Sequence, residues 1–179
     1  MKKIILVLLT VIIIVLIINS NKKDYYVIPD EAIRFRVIAN SNSIEDQNIK
    51  KIVKENIEKE LKKTISINNT LEETRYKIKQ NIPVYNEIIN NTLKENNYNY
   101  SFDVKYGINY FPEKEYKGIM YTEGEYESLL ITLGEGNGDN WWCVLFPPLC
   151  LIESKDKEKD DVEYRFFIKD IVDKYLFKK

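Results

Sequence analysis

Residues 134–150, Gly-Glu-Gly-Asn-Gly-Asp-Asn-Trp-Trp-Cys-Val-Leu-Phe-Pro-Pro-Leu-Cys, constrain the fold of this chain more than any other stretch. They hold three of its six glycines, both tryptophans, both cysteines and an adjacent proline pair. Glycine suits a backbone that takes positive φ or is closely approached, and tryptophan supplies large amphipathic contact area. A segment of fixed, unusual shape is expected. Within a strand, Trp141 and Trp142 point to opposite faces, so only one of them fills the core from a given side. For the other, a partner contact and a packed satellite cluster are both open.

Cys143 and Cys150 stand seven positions apart. An extended chain would separate them by about 23 Å, whereas a disulfide brings Cα atoms to about 5.5 Å. Pro147 and Pro148 lie between them, where a turn would reverse the chain. A bridged loop and a pair of buried thiols are the two readings. Zinc fits poorly, because two cysteines without histidine leave a tetrahedral shell half empty. The Gly-x-Gly-x-Gly run at 134–138 is no phosphate cradle either. No clear helix or lysine follows it where a phosphate loop needs one, and Glu135 and Asp139 would repel the anion.

The wider composition narrows the chemistry. The chain has 179 residues and no histidine. That excludes Ser-His and Cys-His nucleophile pairs and any histidine general base. Its 28 acids give no converging pair that can be nominated from sequence, so no catalytic, cofactor-binding or metal-binding residue is assigned. A formal charge of −1, with lysine interleaved among acids, offers nothing like the basic stripe that nucleic acid requires. No nucleic-acid partner is expected.

Residues 4–18 are apolar except for Thr10 and follow Met1-Lys2-Lys3. As a helix they reach about 22 Å, short of the roughly 30 Å hydrocarbon core and suited to a secretory h-region. Residues 1–24 are therefore expected to be a signal peptide, or a retained anchor whose residues 4–18 contact the membrane. Residues 25–179 form one extracytoplasmic domain in either case.

Within that domain, residues 33–39 read as a strand with one buried face. Ser43 and Asp46 offer a capping box for a helix to about residue 63, with Ile49, Ile52, Val53, Ile57 and Leu61 on one face. Thr70 and Glu73 offer a second box, for a helix to about Gln80. Pro83 suits the first turn of a third helix whose apolar face is Val84, Ile88, Ile89 and Leu93. From residue 98 the period becomes two. Strands are expected over 100–106, continuing to Phe111 past a bulge at Gly107, then over 126–133 after turns at Gly118 and Gly124, and over 142–146. A charged spacer (153–161) leads to a C-terminal helix (162–177). The expected class is α+β: a single domain with a mostly antiparallel or mixed sheet and about four helices, after the N-terminal hydrophobic segment. The polar run Asn40-Ser41-Asn42-Ser43 sits at the first strand-to-helix junction. Helix capping and an Asx turn account for at least two of its side chains, and such junctions are also common ligand positions.

The leader, the stretch Arg34-Phe35-Arg36-Val37-Ile38-Ala39-Asn40-Ser41-Asn42-Ser43 followed by Glu45-Asp46-Gln47, and the 134–150 segment together resemble the stage II sporulation protein R family across the whole exported domain. The pattern associated with the glycine segment carries a histidine near the place of Asp139, so no role for that histidine is carried over. The resemblance implies a non-enzymatic signalling protein of endospore formation, secreted from the forespore into the intermembrane space or anchored to the forespore membrane facing it. Its implied partner is the ectodomain of the membrane-bound stage II GA protease, which cleaves pro-sigma-E to active sigma-E in the mother cell. The contact residues expected are Asn40, Ser41, Asn42, Gly134, Glu135, Gly136, Gly138, Asp139, Trp141 and Trp142, with Cys143 and Cys150 bridged. A carboxylate-dependent envelope hydrolase and a purely structural envelope protein are the competing readings.

Overall fold

Alternation along residues 33–38 sets the centre of the molecule, since Ile33, Phe35 and Val37 fill one side of that strand and arginines the other. The computed structural model describes residues 32–66, 68–116, 119–149, 170 and 173. Its first strand, β1 (Ile33–Ile38), lies inside a four-stranded mixed sheet with β2 (Phe102–Phe111), β5 (Gly124–Leu133) and β6 (Asn140–Phe146), in the order β2-β5-β1-β6. β5 runs parallel to β1, while β6 is antiparallel to β1 and β2 antiparallel to β5. Two short strands, β3 (Lys114–Tyr116) and β4 (Ile119–Tyr121), form a separate hairpin between β2 and β5.

Helices cover one face of the sheet. They are α1 (Ile44–Thr64), α2 (Leu71–Gln80) and α3 (Ile82–Glu95). Ile49, Val53, Ile57 and Leu61 bury the expected stripe of α1 against Ile33, Phe35 and Val37, with Leu129, Ile131, Leu133 and Leu145 completing the layer. Burying each such side chain is worth about 1.5–3 kcal/mol, so this layer is the main source of stability. Caps fix where the helices begin. Ser43 accepts from the Asp46 N–H at the start of α1, and Thr70 and Glu73 form a reciprocal box at the start of α2.

The α+β class with a mixed sheet holds, and several local expectations change. In α3 the buried stripe is Tyr85, Ile89 and Leu93, whereas Val84 is 38% exposed. A stripe centred one residue later places the large Tyr85 ring, rather than Val84, under the sheet. Strand β2 keeps unbroken register with β5 from Phe102–Leu133 to Phe111–Gly124, so Gly107 makes no bulge and Gly124 opens a strand instead of a turn. Three helices stand among the described residues. The leader, the 153–161 spacer, Gly118 and all but Asp170 and Asp173 of the expected C-terminal helix lie outside them.

The topology places the glycine segment. β5 and β6 flank β1 on opposite sides, with Thr132 and Asn140 both paired to Ile38. Residues 134–139 must therefore cross over the C-terminal end of β1, where the chain turns into α1. The two polar motifs of the sequence meet there.

Candidate functional site

The crossing loop is held to the β1–α1 junction by backbone and side chains together. Ala39 C=O accepts from Gly138 N–H (2.9 Å), and Asn40 C=O accepts from Asn137 N–H (3.0 Å). The Asn40 side-chain oxygen takes the Glu135 N–H (3.0 Å), and that of Asn42 takes the Asp139 N–H (2.6 Å). Lys50, nearly two turns into α1, donates to the Asp139 carbonyl at 2.9 Å. Five hydrogen bonds thus tie the six-residue loop to the junction, four donated by its own amides and one accepted by its Asp139 carbonyl, and the loop is left with one shape.

Two glycines are required by that shape. Gly134 sits at φ +57, and a Cβ there would overlap the Asn40 side chain. A Cβ on Gly138 would overlap the Ser41 carbonyl. The first glycine supplies a left-handed backbone, and the second allows two backbones to touch.

Under the junction lies Asp46, 5% exposed. Its carboxylate accepts from Asn40 Nδ2 (3.0 Å), Ser41 Oγ (2.5 Å) and Tyr98 OH (2.5 Å). Burial alone would raise the Asp46 carboxyl, but the hydrogen bonds from Ser41, Tyr98, Asn40 and Ser43 outweigh it and hold the group below its ordinary range. Asn40 is the hinge of the arrangement: its oxygen holds the loop and its nitrogen holds Asp46. Capping thus explains Ser43, and Ser41 accepts from the Ser43 N–H in a local turn (3.1 Å), while Asn40 and Asn42 serve the distant loop.

The model of the family described as stage II sporulation protein R matches residues 29–156, from just before β1 to past β6. The chain belongs to this family. The stage II sporulation protein R of Bacillus subtilis (strain 168) is 39% identical over 141 residues, 76% of this chain and 63% of that relative. The chain thus spans about 63% of the length of the curated relative it matches. No solved structure matches.

In this family member the paired tryptophans part as strand geometry requires. Trp141 turns to the helical side, edge-on to Phe35 at 5.5 Å with Lys54 Nζ 4.9 Å from its ring. Trp142 turns to the other side and joins Tyr121 (4.8 Å) and Phe111 (5.8 Å), both edge-on. The Arg34 guanidinium lies against this second cluster, 3.4 Å from the Tyr126 ring centre, 4.8 Å from that of Trp142 and 4.9 Å from that of Phe111. Arg34 is fully buried, and its three guanidinium nitrogens have no hydrogen-bond partner among the described residues. Burial lowers it to about 10, against smaller raising effects from Tyr126 and Tyr121. Both tryptophans are half-buried, as are Asn40, Ser41 and the three loop glycines, and the fully exposed residues of the loop and junction lie beside them.

That open part is the rim: Glu135, Asn137 and Asp139 on the loop, and Asn42, Ser43, Ile44 and Glu45 on the junction, are all exposed. Ile44 is 83% exposed. Sequence reading treats Ile44 only as a residue inside a capping box. The usable signal is a large apolar residue at the first helical position, outside the buried stripe of α1. Cys143 lies in β6 on the helical side, and Cys150 falls outside the described residues.

Asp46, buried, and Glu127, half-buried, are both bound to structural donors. Asp46 holds the junction, and Glu127 takes Arg75 Nε (2.8 Å) and Tyr106 OH (2.7 Å), tying α2 to the sheet. Burial would raise Glu127, yet Arg75 and Tyr106 bring it below the ordinary range. A general acid needs the opposite shift.

Proposed function

We propose that this chain is an exported signalling protein of endospore formation, without enzymatic activity, that binds the ectodomain of the membrane-bound stage II GA protease. Binding promotes cleavage of pro-sigma-E to active sigma-E. The observation that carries this reading is the clamped rim: a loop fixed by side chains about a hundred residues away in sequence exposes Glu135 and Asp139, and the junction that holds it exposes Ile44 and Glu45 beside them. A surface held rigid before binding loses little conformational entropy on docking. Family membership supplies the sporulation setting.

The contact surface in this reading is the rim together with Asn40, Ser41 and the three loop glycines, and Trp141 and Trp142 hold β6 beneath it. Activation requires that the rim bind the active arrangement of the protease more tightly than the inactive one. The leader, cleaved or retained, delivers the domain to the space between the two membranes. The proposal includes a Cys143–Cys150 bridge, supported by the exported setting and by a turn after β6 in which Leu149 N–H donates to Pro147 C=O at 2.7 Å. Asp46 and Glu127 are each committed to structural donors that tie elements of the fold together, which favours this reading over a hydrolase built on either acid.

Co-purification of the chain with the protease ectodomain tests the contact. Capture by the wild type, lost in an Ile44→Asp plus Glu135→Arg variant of unchanged thermal stability, is the expected result. Equal capture of both removes the rim from the interface.

A further inference from the structure

The outer edge of β2, unpaired among the described residues, has a self-complementary register, and the geometry points to a second copy of this chain pairing there, antiparallel about Val104, to make a continuous eight-stranded sheet. Among the described residues, β2 pairs only with β5, leaving Phe102 to Ile108 as an open edge; beyond them the Tyr110 carbonyl already accepts from Arg36 Nη1 (3.1 Å). Long open edges are ordinarily blunted or covered, because their unpaired N–H and C=O groups template another strand. The Gly134 N–H donates to the Ser101 carbonyl at 2.7 Å, which sets the odd-numbered residues facing β5. By alternation, the polar groups of Phe102, Val104, Tyr106 and Ile108 face outward.

Charge selects both the register and the partner. Asp103 and Lys105 stand side by side on one face, exposed by 53% and 68%, and already meet at 2.7 Å within the strand. A two-fold axis at Val104 sets Asp103 opposite Lys105 of the second copy, and Lys105 opposite its Asp103. Moving the axis to residue 103 or 105 sets like charges opposite each other, which is unfavourable. The Val104 register also sets Tyr100 (55% exposed) opposite Ile108 (65% exposed) of the second copy, twice over. Such isologous pairing is the commonest closed symmetry. This inference is independent of the protease reading.

Sedimentation equilibrium of the full chain in density-matched detergent tests it, comparing wild type with Asp103→Lys, Lys105→Asp, the double exchange and Ile108→Lys. A concentration-dependent dimer is expected. Each single charge variant weakens it by about tenfold, because the change acts twice in a symmetric pair, and the double exchange restores it. Ile108→Lys, at a side chain already in solvent, weakens it without disturbing the fold. A wild type that stays monomeric at its highest soluble concentration overturns the proposal. Single variants that dimerise like wild type, or a double exchange that fails to restore association, place any dimer on another surface or give the edge to a different strand.

Discussion

Two regions flank β1, and they handle charge in opposite ways. At its C-terminal end the Asp46 carboxylate is buried with three side-chain donors, and the crossing loop above it has an acceptor for each amide that points inward. On its second face the Arg34 guanidinium is buried among three aromatic rings, with no acceptor among the described residues. The first region is a network in which removing one member leaves the others unsatisfied. The second is a packed cation whose contacts among the described residues are mainly ring faces. A buried polar group with partners specifies shape, whereas one without partners is replaceable by volume.

The largest effect is expected from Asp46→Ala, which leaves Asn40, Ser41 and Tyr98 without their acceptor. At about 1–3 kcal/mol per orphaned buried group, urea unfolding should show a loss of about 3 kcal/mol or more. A loss below about 1 kcal/mol would mean that water replaces the carboxylate, and the network argument would fail. Gly138→Ala is expected to cost about 2 kcal/mol, since the added methyl meets the Ser41 carbonyl and one backbone has to move. Amide exchange at Asn137 and Asp139 should quicken in that variant, and unchanged exchange would show that the loop absorbs the methyl elsewhere.

The acid limb of stability comes next. Asp46 has a folded pKa below its unfolded value, so between the two the unfolded state binds more protons and stability rises with pH. The contribution is present above the ordinary carboxylate pKa and is lost as pH falls through the folded one. Asp46→Asn should flatten that limb relative to wild type in denaturant titrations. An identical slope would assign it to other acids, Glu127 first among them. The smallest effect is expected from Arg34→Met, which fills similar volume and removes a desolvated charge. Stability should stay within about 1 kcal/mol of wild type, or rise. A large loss would show that the ring contacts do more than fill space.

The contrast also marks what could be read from sequence. The caps at Ser43 and Thr70, the α1 stripe and the split of Trp141 from Trp142 depend on neighbours within a few residues, and they were legible. The pairing of Asn40 and Asn42 with a loop 95 and 97 positions away was not, because it depends on strand order. Each motif was visible alone, and only the crossing of β1 joins them. Arg34 reads as a solvent-facing residue of an amphipathic strand. Its burial comes from Phe111, Tyr126 and Trp142 on three other strands, with β4 bringing Tyr121 against Trp142. Strands of three residues leave no periodic trace. Tyr85 displaced Val84 in α3 for a related reason, since a helix face is fixed by what it packs against.

In the proposed function the rim above the Asp46 network is the contact surface. Its most direct measurement is pro-sigma-E cleavage in a non-sporulating host that expresses the protease and pro-sigma-E, with this chain absent, wild type, or carrying Ile44→Asp plus Glu135→Arg. The account predicts cleavage only with wild type, while the rim variant keeps wild-type thermal stability and fails to trigger. Cleavage without the chain, or full cleavage with the rim variant, would contradict it.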